Sequence, residues 1–393
     1  MGIPNCWLPA ELLLVRMKED FLRSLESINA QELRLSSGIL TIRAGVAFCV
    51  LNLKTVDSFA MKAGYCFILC LIASVAGLQI EAQTPEPIID MHLHAMHGDE
   101  LGPPPLFLCA PFLEWPLKDP QEDVQSYYAR VQNKPSCPSP LRSGMNDEDL
   151  MQRTIAILNK RNIYAVTNSL SSDALEVLEK WKQAGGERIL PAIPFDPKSG
   201  KPTVEELRRL VKSKRVMAFA EVSSQYEGIA VTDPRMEPYF ALAEELDVPV
   251  GIHMGPGPPG APYVMAPSYR MRLSSLLALE DVLVRHPKLR VWAMHAGWPL
   301  ADDTIGTLYA HPQLYVDIGI IDYAFPRKQF YDFLHRLIDA GFEKRIMFGS
   351  DEMVWPDAVS AAIETIQTDP ELSPEQKRDI LYNNAARFLR LKK

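Results

Sequence analysis

The sequence predicts an α/β fold, a closed (β/α)8 barrel, on three observations. From residue 87 onward, short apolar runs rich in β-branched residues alternate with helical patterns, eight times over. Eight such units in about 300 residues suit a closed barrel better than an open sheet. An open doubly wound sheet, the structural alternative, would usually carry a Gly-rich phosphate loop after its first strand, and none stands there.

The units follow in order. "PIIDMHLHA" is the first strand, and a Pro-rich insertion runs after it from about Met96 to Gly144, holding "GPPP", "CAPFLEWP" and "KPSCPSP". A helix begins near Asn146 in "NDEDLMQRTIAILNKRN", where Asn146 or Asp147 can cap it and the acidic first turn suits the helix dipole. "IYAVTNSL" leads to "SSDALEVLEKWKQAGG", with Gly at the helix end. "RILPAIPFD" leads to "TVEELRRLVKSK", and "VMAFAEVSSQY" to "DPRMEPYFALAEELD". "VPVGIHMG" crosses a long Pro-rich loop to "LSSLLALEDVLVRHP". "LRVWAMHAGW", "LYVDIGI" and "RIMFGSDE" supply strands six to eight, each with its own helix, and "SPEQKRDILYNNAARFLRL" ends the chain.

Composition bounds the function classes. The chain has 393 residues, 47% hydrophobic and 23% charged, enough to build a large core. A net charge of -8 with no basic block gives no electrostatic reason to expect nucleic acid. Residues 1–60 show no clear period and no motif. From Met61 the character changes to "MKAGYCFILCLIASVAGLQIEAQ", a short positive start, an apolar run from Tyr65 to Leu78, and Ala82 as a cleavage point. This is the layout of a signal peptide over 61–82, preceded by a non-native or unstructured extension over 1–60. The other reading is a genuine N-terminal extension followed by a buried apolar segment. The run is short for a membrane span, and the residues before Cys70 are not those of a lipidation site, so no stable membrane anchor is expected. The expected product is an exported protein, periplasmic or secreted, with its barrel domain over 83–393. Cys109 and Cys137 remain in that domain, within the insertion, either paired or as two free thiols. No Cys-x-x-Cys is present, which argues against a thiolate zinc site.

Chemistry in a barrel of this kind sits at the C-terminal ends of the strands. His92 and His94 end strand one, one residue apart, and alternation places them on one face together with Asp90. Glu221 lies on strand four, His253 ends strand five, His295 ends strand six and Asp351 ends strand eight. A lone His-x-His is more often a polar strand end than a ligand pair. Four of the eight histidines at strand ends, joined by an aspartate, are hard to explain by packing. The other four, His97, His286, His311 and His335, fall in loops or helices. Histidine and carboxylate together suit a divalent ion such as zinc, with an open position for water.

The ordered set Asp-x-His-x-His, Glu, His, His and Gly-Ser-Asp resembles the amidohydrolase superfamily, and "RIMFGSDE" followed by "ILYNNAARFL" resembles the C-terminal signature of its amidohydrolase-related branch. The resemblance covers roughly residues 87–391 and implies a metal-dependent hydrolase on a distorted (β/α)8 barrel. It assigns His92, His94 and His253 as metal ligands and matches His295 and Asp351 to the sixth- and eighth-strand residues. Many two-metal members bridge their ions with a carboxylated lysine and some with glutamate. Glu221 is therefore either a bridge between two ions or a support for the first-strand histidines beside one ion. Asp351 is expected to accept a proton from water, and His295 to bind the second ion or polarise the substrate.

The substrate is a small molecule that the sequence does not name. Tyr226, Tyr263, Trp298 and Trp355 offer aromatic surface for it or pack the barrel rim, and Arg270 or Arg272 offers a partner for a carboxylate or a solvated cation. The leading expectation is hydrolysis of an amide, lactone or related ester. The same branch includes non-oxidative decarboxylases of aromatic or unsaturated acids, which Arg270 near the metal would favour. A non-catalytic barrel is the third reading, and a homodimer is a common assembly for such chains.

Overall fold

The computed structural model describes residues 85–133 and 135–391 and, within the extension expected over 1–60, only the antiparallel pair Arg34–Leu35 and Gly38–Ile39; the rest of that extension and the signal peptide expected over 61–82 lie outside the described residues. Each of the eight apolar runs forms a strand. They are β1 (Ile88–His94), β2 (Ile163–Asn168), β3 (Ile189–Pro191) and β4 (Phe219–Val222), followed by β5 (Val250–His253), β6 (Val291–Met294), β7 (Tyr315–Asp317) and β8 (Ile346–Met347). All pair in parallel, in the orders β1-β2-β3 and β4-β5-β6-β7-β8. Parallel bridges from Ala192 to Ala218 and from Leu93 to Glu352 join the two sets and close the ring. The (β/α)8 barrel expected from the alternation is the observed fold.

The helices that follow the strands are α1 (Asp147–Lys160), α2 (Ala174–Gly185), α3 (Val204–Lys212) and α4 (Glu237–Leu246), then α5 (Glu280–Arg285), α6 (Ala301–Ala310), α7 (Arg327–Asp339) and α8 (Asp357–Thr368). Their starts obey local chemistry. The Asn146 side chain accepts from the Asp149 N–H at the head of α1, and Thr203 with Glu206 forms a reciprocal capping box on α3. Among the described residues no helix is long and apolar enough to cross a membrane.

Two apolar layers hold the barrel. The inner one gathers Ile89, Met91, Val166, Trp292, Met294 and Met347, with Phe388 and Leu389 of the C-terminal segment packed against it. Trp292 is fully buried, and its neighbours on the inner wall are small: Ala192, Ala218 and Ala220. Gly251 belongs to the same accommodation, because a methyl there would lie 2.4 Å from the Trp292 ring. The outer layer packs strands against helices, with Leu150, Phe219, Phe240, Phe330 and Ile363 among its buried members.

The Pro-rich insertion has structure of its own among its described residues. Phe107–Leu108 and Leu141–Arg142 pair antiparallel, a short helix spans Val124–Tyr128, and Cys109 is disulfide-bonded to Cys137. Of the two alternatives for these cysteines, the structure takes the pair.

Candidate metal centre

His92, His94, Glu221 and His253 lie within their strands, whereas strands six and eight end before their polar residues. His295 is the first residue after β6 and Asp351 lies beyond β8, and both have left-handed backbones, with φ of 62° and 48°. Such conformations are costly for residues other than glycine and persist where surrounding structure imposes them, often at functional sites.

On β1 the simple alternation fails. A register shift between Asp90 and Leu93 follows the inward-facing Ile89 and Met91, and it brings His92 to the mouth of the barrel together with His94. Asp90, expected on the histidine face, instead accepts the backbone N–H groups of His92 and Ser350 at 2.9 Å each. Burial pushes its carboxyl up to about 6 in spite of those bonds. Asp90 thereby pins the Ser350 loop to β1. The Asp351 N–H donates to His92 O at 2.6 Å and the His94 N–H to Glu352 O at 2.9 Å, which completes the fastening. A second register shift, between Phe219 and Val222, leaves Ala220 in the inner layer and brings Glu221 to the site.

The six residues meet. Glu221 Oε2 lies 3.6 Å from His92 Nε2 and 3.5 Å from His94 Nε2, while its Oε1 lies 3.3 Å from His295 Nε2 and 3.8 Å from His253 Nε2. Asp351 Oδ1 lies 2.9 Å from His94 Nε2 and 3.4 Å from His92 Nε2. Three groups have ligand atoms mutually within 4.8 Å: His92, His94 and Glu221; His92, His295 and Asp351; and Glu221, His253 and His295. Glu221 is only 4% exposed and Asp351 6%.

The far sides of the rings show what the near sides do. His253 Nδ1 faces Gln225 Oε1 at 2.6 Å, and His295 Nδ1 faces Gly319 O at 3.0 Å. Gln225 is itself oriented, since its Nε2 donates to Gly255 O and Ser274 Oγ. His92 Nδ1 faces Asp317 Oδ2 at 3.3 Å. His253 Nδ1 and His295 Nδ1 thus meet acceptors, which calls for the N–H on that side and leaves their Nε2 bare, while His92 Nδ1 beside Asp317 and His94 Nδ1 make no hydrogen bond among the described residues. Bare nitrogens then face carboxylate oxygens, an arrangement of acceptors against acceptors that needs positive charge between them. His92 Nε2 has no hydrogen-bond partner among the described residues although it is buried. A divalent cation fits this donor set, and in its absence protons do the work. Burial opposes a charge on His92, yet Asp351, Asp317 and Glu221 raise its pKa well above the usual 6.5. Burial likewise opposes ionised Glu221, and His92 and His295 hold it well below the usual carboxylate range. His253 remains neutral, pushed down to about 3 by burial and by His295.

Asp317 and Gln225 did not emerge from the sequence reading. Asp317 ends β7 in "LYVDIGI", the same place in its unit as the other site residues, so position alone could have found it. Its carboxylate accepts from His295 N, Gly319 N and Trp292 Nε1 at 3.0, 3.0 and 3.1 Å. Gln225 lies in the loop after β4 and carries no such signal. Asp317→Asn should weaken metal affinity roughly 10- to 100-fold by loosening the His92 ring. Competition against a chelator of known affinity measures this, and an unchanged affinity would mean that His92 is held by other contacts.

Above the centre opens a cavity of about 2430 Å³, larger than the ~300–1,000 Å³ of usual small-molecule sites. Tyr226, Trp298 and Trp355 line it. Trp298 also packs edge-on against Phe325 at 4.4 Å, and Trp115 of the insertion meets the same ring at 4.7 Å. Packing the rim and lining the pocket are therefore one role for Trp298. Tyr263 is 74% exposed and is not part of the wall. Arg270 requires a correction. It does not line the cavity, because the loop curls so that its guanidinium donates to Pro267 O and Tyr269 O, both at 2.7 Å. Arg272 is exposed and likewise outside the wall.

Comparison with known proteins agrees with this architecture. An uncharacterized TIM-barrel protein from Bordetella bronchiseptica is 18% identical, over 77% of this chain and 98% of that one, with a TM-score of 0.52. A 5-carboxyvanillate decarboxylase from Sphingomonas paucimobilis is 14% identical, over 78% and 99%, with a TM-score of 0.51. The 5-carboxyvanillate decarboxylase of Novosphingobium aromaticivorans, complexed with manganese and 4-hydroxy-3-methoxy-5-nitrobenzoic acid, is 13% identical over 80% and 99%, with a TM-score of 0.52. At these identities the likeness speaks for the fold. No match was found among curated proteins. The family model described as Amidohydrolase matches residues 89–391, the whole of the barrel with its histidine and carboxylate residues. The chain belongs to the amidohydrolase family, in its amidohydrolase-related (amidohydrolase 2) branch.

Proposed function

We propose that the chain is a metal-dependent hydrolase that cleaves an amide, lactone or related ester. The observation that carries this reading is the Glu221 carboxylate, with Oε2 turned to His92 and His94 and Oε1 to His253 and His295. One buried carboxylate serving two pairs of imidazoles suits two ions, and the nitrogen and oxygen donors suit zinc. A bound ion would lower the pKa of water from about 15.7 towards roughly 7. Asp351 sits beside His92 and His94 at the cavity wall and takes the role of proton acceptor, returning the proton to the leaving group. The Nδ1 contact of His295 with Gly319 O favours its role as a ligand through Nε2 over that of a donor to substrate. The Cys109–Cys137 disulfide supports an exported protein, since such bonds persist in oxidising compartments.

The second reading, decarboxylation of an aromatic or unsaturated acid, has the aromatic wall in its favour. Arg270 does not supply the cation expected of it, because its guanidinium turns away. Of the cavity's basic residues, Lys198 is paired with Glu227 and Arg215 with Glu179, while Lys201 and Arg209 have no ion pair among the described residues. The deciding experiment loads residues 83–393 with zinc or manganese, counts the bound ions, and assays aryl esters, lactones and anilides beside hydroxybenzoic acids. Two ions and acid release that a chelator abolishes are expected. Carbon dioxide release from the acids without hydrolysis of the other compounds would overturn the reading.

A further inference from the structure

The two phenols beside the centre are treated differently by the protein. Tyr269 is tied inward, since its hydroxyl accepts from Gly257 N at 2.9 Å and donates to Gly255 O at 3.1 Å. Tyr226 lies 5.3 Å away between ring centroids, and among the described residues its hydroxyl has no hydrogen-bond partner. The Tyr226 ring stands edge-on to His253 at 4.9 Å and lines the cavity. Its hydroxyl lies over Gly257, where a methyl would come within 3.2 Å of it. Gly257 thus leaves room for the phenol, and His253 and Tyr269 hold the ring. Tyrosine hydroxyls in such surroundings normally find a partner. Here the space around the oxygen belongs to the cavity.

We propose that Tyr226 is a catalytic residue that donates its hydroxyl hydrogen bond to the substrate oxygen on which negative charge develops. It stands against His253, whereas Asp351 stands against His92 and His94, so the reacting group would lie between a donor and a proton acceptor. Preorganised donors of this kind act where charge appears in the transition state. The matching substrate group is a carbonyl that passes through a tetrahedral oxyanion. This deepens the hydrolase reading and rests on it.

The test uses phenylphosphonate, a tetrahedral anion with an aromatic group, titrated calorimetrically into the zinc-loaded protein and its Tyr226→Phe variant. Phenylalanine keeps the ring against His253, so metal content and thermal midpoint should stay at wild-type values. The Kd should rise about 10- to 100-fold, as for a lost hydrogen bond to a charged group. A Kd unchanged in the variant overturns the proposal, and so does a metal-loaded wild type that does not bind phosphonate. A weakened Kd without any hydrolysis in the substrate panel would keep Tyr226 as an oxyanion donor and remove the hydrolase reading, so the two failures are distinct.

Discussion

Asp351→Asn should lower kcat by about 10³-fold, with a much smaller change in KM, when assayed at saturating metal. The substitution keeps the shape of the side chain and removes its ability to accept a proton. Asp351 is suited to that loss being decisive. Its backbone N–H is fastened to His92 O, its carboxylate reaches His94 Nε2 at 2.9 Å, and it remains in the cavity wall. Among the described residues of the wall, Glu221 is the other carboxylate beside the histidines, and both its oxygens face four rings. A thousandfold loss is about 4 kcal/mol of transition-state stabilisation. Full turnover in the variant would remove Asp351 from proton transfer, whereas a loss repaired by added metal would make it a ligand alone.

The sequence disclosed the frame of this site and not its support. The strand ends were legible because apolar runs end in polar residues at similar places in each unit, and the structure brings His92, His94, Glu221, His253, His295 and Asp351 together, His92 and Glu221 by register shifts that the pattern does not show. Asp90 was misplaced by the same rule, because a register shift cannot be seen in an alternating pattern. Gln225 was invisible, since its role depends on Gly255 O and Ser274 Oγ, brought to it from other units. Arg270 failed for a related reason. A cation in a long loop goes wherever carbonyls are offered, and two adjacent ones captured it.

Glu221→Gln should reduce bound metal from about two ions per chain towards one, measured by elemental analysis after dialysis. The amide preserves the shape but removes the negative charge that two sets of imidazoles share, and its NH₂ turns a donor towards nitrogens that must accept a cation. The metal-free protein should report the same charge through pH. His92 has a raised pKa, so its contribution to stability is complete below about 6.5 and fades as pH rises through the raised value. Glu221 has a lowered pKa, so its contribution is complete above about 4.5 and fades as pH falls through the lowered value. Both are present between these limits, and there the metal-free wild type should exceed Glu221→Gln in thermal midpoint by the widest margin. A variant that still holds two ions would show that Glu221 does not bridge them. If the wild type itself holds a single ion and the variant binds it only somewhat more weakly, Glu221 supports His92 and His94 beside a mononuclear centre.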